Sequence, residues 1–215
     1  MSIESKELIS EETHERIAAA MADDGDLQAR VRSIVMAAIA ERNLDAKEVK
    51  HVIHAVFSGM GEGLPQRGQQ AADAARAAVQ GLDEAVGKSV YALRMAAEEA
   101  WDQGRQYRSG DVKEAMEDIR ELEADLLSTL KDHADRGQGV VKEVFTGLHA
   151  HLARTGTDTG NQVREVLARL GSQMADAAQG SGSALKAQAE TGKTRLKAVA
   201  AGILRGLADG LERHP

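Results

Sequence analysis

Apolar residues recur along this chain at intervals of three and four, the spacing that places them on one side of an α-helix. The spacing predicts a first helix over 11–21, with Ile17, Ala20 and Met21 on one side and Gly25 as its C-terminal stop. Leu27, Val31, Ile34, Val35 and Ala38 predict a second. A third is expected from Asp45, which can cap it while Glu48 reaches back three residues later. Its apolar side is Val49, Val52, Ile53, Val56, Phe57 and Met60. Gly59, Gly61, Gly63 and Pro65 then read as the clearest break in the chain.

Longer helices are expected beyond that break. Over 66–107 the seam is Ala72, Ala75, Val79, Leu82, Val86, Val90, Leu93, Ala97, Trp101 and Gly104. Ser109, Gly110 and Asp111 read as a turn, with Asp111 and Glu114 as a second capping box. Val112, Ala115, Ile119, Leu122, Leu126 and Leu130 follow in nearly strict heptad alternation. Residues 136–139 (Arg-Gly-Gln-Gly) interrupt it, and Val140, Val144, Leu148 and Leu152 resume. Residues 155–160 (Thr-Gly-Thr-Asp-Thr-Gly) form a second break, rich in capping side chains. The last seam runs through Val163, Leu167, Leu170, Met174, Ala178, Leu185, Leu196, Val199, Ile203 and Leu207, with glycines at 160, 171, 182, 192 and 202. Eleven residues close three helical turns almost without drift, so such glycines stay on one side over a long distance. The expected fold is all-α: a three-helix N-terminal unit over 1–62, a long-helix hairpin over 63–154, and a C-terminal amphipathic long helix over 155–215, the long helices forming an antiparallel bundle or coiled coil.

Composition narrows the function classes. Of 215 residues only 2% are aromatic, two are proline and none is cysteine, which excludes a disulfide scaffold, a thiolate metal site and a catalytic cysteine. The net charge of −7 disfavours a nucleic-acid surface. That charge is unevenly spread. Acids outnumber bases seven to two over 2–24, whereas over 184–215 six bases face three acids. No apolar run is long enough to span a bilayer, and the acidic start does not resemble a signal peptide, so a cytoplasmic protein is expected.

The motifs that resemble chemistry are weak. Ala187, Gly192, Lys193 and Thr194 fit the loosest form of a phosphate-binding loop, but no strand pattern precedes them, and the match reads as coincidence. The pairs Glu11/His14 and Glu48/His51 have the spacing of di-iron carboxylate ligands without the further inward glutamates such a site needs. His51/His54 and His149/His151 are closely spaced, yet such pairs are ordinarily solvated. Three short helices with Lys47, Lys50, His51 and His54 admit a helix-turn-helix DNA binder, opposed by Glu48 and the acidic flank. No catalytic residue, cofactor site or metal site is expected, and the chain is read as a non-enzyme.

The stretch that stands out is Gly202, Gly206 and Gly210, one glycine every fourth residue beside Val199, Ile203, Leu204 and Leu207. Small residues at this spacing let a second backbone approach closely. Lys193, Arg195, Lys197 and Arg205 add a cationic flank. Lys193, Arg195, Leu196, Lys197, Val199, Gly202, Ile203, Leu204, Arg205, Gly206, Leu207, Gly210 and Leu211 are therefore the expected surface- or partner-binding residues.

Residues 41–45 (Glu-Arg-Asn-Leu-Asp), 81–85 (Gly-Leu-Asp-Glu-Ala) and 155–160 carry a resemblance to a family of uncharacterised bacterial alanine-rich helical proteins, over most of the chain. That resemblance implies no activity and no functional residues. In composition and periodicity the chain also looks like phasins, the helical proteins that coat polyhydroxyalkanoate storage granules. Alanine-lined seams bury little area per residue, so self-association is expected. The leading expectation is a homo-oligomeric structural or interaction protein whose amphipathic helices coat a lipid or polymer surface. The alternative is a soluble homo-oligomeric coiled-coil scaffold that binds no surface.

Overall fold

The structure, a computed structural model, describes residues 3–23, 25–42, 46–102, 109–177 and 189–213. It is all-α, and no strand occurs among the described residues. The elements are α1 (Ile3–Ala22), α2 (Leu27–Glu41), α3 (Ala46–Gly63), a 3-10 segment (Leu64–Gln70), α4 (Ala71–Asp102), α5 (Ser109–Arg136), α6 (Gly139–Thr155), α7 (Asp158–Ala177) and α8 (Ala189–Arg213).

The opening helices follow the apolar spacing, with two differences. α1 begins well before residue 11. α3 runs straight through Gly59 and Gly61, where the sequence suggested a break, and the chain turns only afterwards, in the 3-10 segment that holds Pro65 and Gly68 (φ 53°). The reason lies in the packing of α1 on α3. A methyl group on Gly59 would come within 2.5 Å of the His14 carbonyl oxygen, and one on Gly63 would overlap the Met21 side chain. Helix propensity charges about 1 kcal/mol for each such glycine; the close packing of α1 on α3, in which Ile17, Met21, Val56 and Met60 are all fully buried, outweighs it. α2 is capped by Asp26, whose carboxylate accepts the Ala29 amide at 3.0 Å. Asp45, the expected cap of α3, lies outside the described residues.

α4 is the centre of the molecule. Ala78, Val79, Leu82, Ala85, Val86, Ser89, Val90, Ala92 and Leu93 are all buried, which leaves little of its mid-section polar face in water. A helix apolar on most sides is one surrounded by others, and α4 packs against α2, α7 and α8. At the N-terminal end of the expected seam Ala72 is exposed; Gly104 lies outside the described residues, as do the side chains of Ala97 and Trp101. Thirty-two residues make α4 about 48 Å long.

α5 begins at Ser109, so Ser109, Gly110 and Asp111 lie inside a helix rather than in the turn they suggested. It packs mainly against α6 and α3 and also touches α7 and α8; among the described residues it meets α4 only marginally. Gly137 and Gln138 separate α5 from α6, and Gly139 takes a left-handed φ of 54°. Phe145 and Leu148 anchor α6 in the core. Gly156, at φ 82°, closes α6 by donating its amide to the Leu152 carbonyl at 2.8 Å. Residues 178–188, between α7 and α8, lie outside the described residues. One contiguous apolar core joins Met21, Val35, Phe57, Leu82, Leu126, Phe145, Val163 and Leu204, and so draws on every α-helix.

Candidate functional site

α8 is split lengthwise. Ala200, Ala201, Leu204 and Ala208 are buried against α4, α2 and α5, and Lys197 is 7% exposed. At about 100° per residue these positions fall on one side of the helix. Val199, Gly202, Gly206 and Leu207 fall elsewhere and are exposed, with Ile203 half-buried. Val199 is 41% and Leu207 36% exposed, two of only three large apolar side chains so exposed among the described residues. A methyl group placed on Gly202 or Gly206 would meet nothing within 4 Å among the described residues.

The expected binding residues therefore divide. Leu204 belongs to the core and Lys197 is sunk into the bundle, so neither faces outward. Val199, Gly202, Ile203, Arg205, Gly206 and Leu207 remain at the surface. Arg205 also reaches the Ala40 carbonyl at the end of α2, at 3.4 Å. Lys193, Arg195, Leu196, Gly210 and Leu211 lie on α8, but their side-chain surroundings are outside the described ones. No helix among the described residues is long and apolar enough to cross a membrane.

Two polar clusters hold other helices in place. The first sits where residues 81–85 meet residues 155–160. A methyl group on Gly81 would overlap the Gln28 carbonyl, so α2 and α4 touch backbone to backbone here. Glu84 accepts from Gln28 at 2.5 Å and from Arg32 at 2.8 Å. Asp83, buried on α4, receives the amides of Asp158 at 2.6 Å and Thr159 at 3.0 Å, and the Thr159 hydroxyl at 2.7 Å. Burial pushes its carboxyl above the ordinary value, while the Thr159 and Asp158 bonds pull the other way. Thr157 adds a local cap by accepting the Gly160 amide at 2.9 Å. The first turn of α7 is thus capped by a side chain from another helix.

The second cluster joins α3, α5 and α6. The His54 and His133 rings meet edge to face with centroids 4.8 Å apart, and Phe57 and Phe145 complete the group. His133 Nε2 is buried without a hydrogen-bond partner, and burial, with His54 beside it, lowers the pKa to about 4. This half-buried histidine is held in its neutral form at the edge of the core. Sequence spacing gave no hint of it, because its neighbours come from distant parts of the chain.

The remaining motifs find structural partners. His14 pairs with Glu62 of α3 at 2.7 Å, and His51 lies 3.8 Å from Glu48, which is itself buried. No group of three or more side chains suited to holding a metal occurs among the described residues. Gly192, Lys193 and Thr194 are inside α8, while Ala187 lies outside the described residues. Lys50 is bound to Asp125 of α5 at 2.5 Å, and His54 meets His133 edge to face, so α5 covers the side of α3 that a helix-turn-helix reading would send into a groove. A shallow depression between the start of α2 and α4 is lined by Gln28, Arg67 and Asp73, but Arg67 turns its guanidinium to the carbonyls of Met21 and Asp23.

The chain matches the family of unknown function DUF6781 over residues 4–213, and it belongs to that family. No curated protein and no solved structure matches it.

Proposed function

We propose that this member of the family is a non-catalytic interaction protein that self-associates through the outward face of α8. The observation that carries the reading is a helix docked by one side while Val199, Gly202, Gly206 and Leu207 stay open on the other. Interior glycine weakens a helix, and at Gly202 and Gly206 no neighbour among the described residues gains from the missing side chain. A second helix seated there would gain, because the flat surface lets backbones approach.

Coating of a lipid or polymer surface is the second reading, favoured by the same exposed Val199 and Leu207 and by the phasin-like composition. Its cationic flank is reduced, since Lys197 is sunk in the bundle and Arg205 is turned toward the Ala40 carbonyl. Self-association is therefore the reading we adopt.

Light scattering on the eluting protein at micromolar concentration should give a mass of at least two chains. The double variant Val199→Asp/Leu207→Asp should elute as a monomer with unchanged helical circular dichroism. A monomeric native protein overturns the proposal. Flotation of that native protein with anionic vesicles, lost in the same variant, would transfer the role of this face to lipid.

A further inference from the structure

The geometry of α8 points to one arrangement of this self-association: two copies paired antiparallel about a two-fold axis near Gly206, with Arg205 of each beside Asp209 of the other. The inference rests on the self-association proposed above and adds its orientation and register.

At about 100° per residue, Gly206, Val199 and Gly202 mark the middle of the outward face. The two flanks differ. Ile203 and Leu207 lie on one side of that midline, and Arg205 and Asp209 lie on the other; Arg205, Leu207 and Asp209 are all exposed. A two-fold interface applies the same patch to itself. If the two helices run parallel, each apolar flank meets the partner's charged flank, which buries ionic groups against aliphatic ones. If they run antiparallel, like flanks meet. Leu207 then meets its own counterpart and the partner's Ile203 on one flank, and on the other Arg205 meets Asp209 twice. Centring the crossing on Gly206 also sets Gly202 opposite the sequence position of Gly210, so small residues face small residues along the seam. A second copy of this chain satisfies both flanks at once, whereas an anionic lipid surface would meet Asp209 with like charge, which is the charge argument for that occupant.

Charge reversal and labelling test the arrangement. Arg205→Asp alone and Asp209→Arg alone should each weaken the dimer about tenfold or more, since each places like charges together twice. Mixing the two variants should restore native affinity, because both contacts then pair opposite charges. The chain has no cysteine, so a spin label on Val199→Cys is unique. Fourteen residues, from 199 to 213, separate the two labels along the axis in the antiparallel pair, about 20 Å apart; in a parallel pair they sit side by side. Circular dichroism of each variant confirms that the fold persists, and Asp209→Arg covers any loss from the Arg205 contact with α2. Single variants that dimerise as the native protein does, a mixture that stays weak, or labels found side by side would each overturn the arrangement while leaving self-association standing. A monomeric native protein removes both.

Discussion

Gly59 and Gly63 in α3 have the same spacing as Gly202 and Gly206 in α8, and the two pairs have opposite surroundings. The first pair is filled: the backbone of α1 and the Met21 side chain occupy the space a methyl group would need. The second pair is open, with nothing within 4 Å among the described residues. A glycine ridge in sequence is thus an offer of close approach, and the tertiary structure decides whether the chain itself takes it up. In α3 it does, and the helix persists through residues that favour a break. In α8 no described residue takes it up, and the cost in helix propensity stays uncompensated within the described structure.

The largest expected effect is at the filled pair. Gly63→Leu should destabilise the protein by about 3 kcal/mol or more, because the added side chain must displace α1; Gly206→Leu meets nothing among the described residues and should raise the urea midpoint of the monomer slightly, by at most the ~1 kcal/mol of recovered helix propensity. Equal losses at both sites would erase the contrast. Asp83→Ala comes next, at about 2 kcal/mol, since it leaves the amides of Asp158 and Thr159 without their buried acceptor. Hydrogen exchange should locate that loss in α7, with α1 and α3 still protected.

The smallest effect comes from acid. His133 has a folded pKa of about 4 against an ordinary 6.5, so folding favours its neutral form. Stability is complete above pH 6.5 and falls as the pH drops from there toward 4, since the unfolded chain takes up the proton first. The groups acting on this ring are His54, Arg136 and Asp132. Urea midpoints over this range should decline in the native protein and decline less in His133→Leu. The loss belongs to the junction of α3, α5 and α6, so self-association through α8 should persist after the first decline.

Much of the fold is legible in the apolar spacing, because burial of one face is what creates that spacing. Ile17, Met21, Val31, Val35, Val52, Val56 and Phe57 are all buried as expected. α4 shows the limit. One stripe predicts an amphipathic helix, whereas the helix is enclosed on most sides, and its alanines conceal this because they suit a buried or an exposed position equally. Glycine misleads at Gly59 and Gly61, where local propensity indicates a break and packing overrides it. The split of α8 was not legible either: Leu204 and Leu207 look alike in the sequence, and only the docking of α8 on α4 and α2 separates core from surface. The Asp83 clamp had a partial signal, since residues 81–85 and 155–160 both stood out, but nothing in the sequence joined them.

That clamp bears on the order of events during synthesis. The acceptor for the first amides of α7 stands 75 residues earlier in the chain. It has therefore left the ribosome long before α7 is made, and a chain emerging from its N-terminal end can fold its earlier segments first. α4 waits with its carboxylate in place, and the nascent turn at Thr157 is fastened on arrival instead of having to nucleate alone.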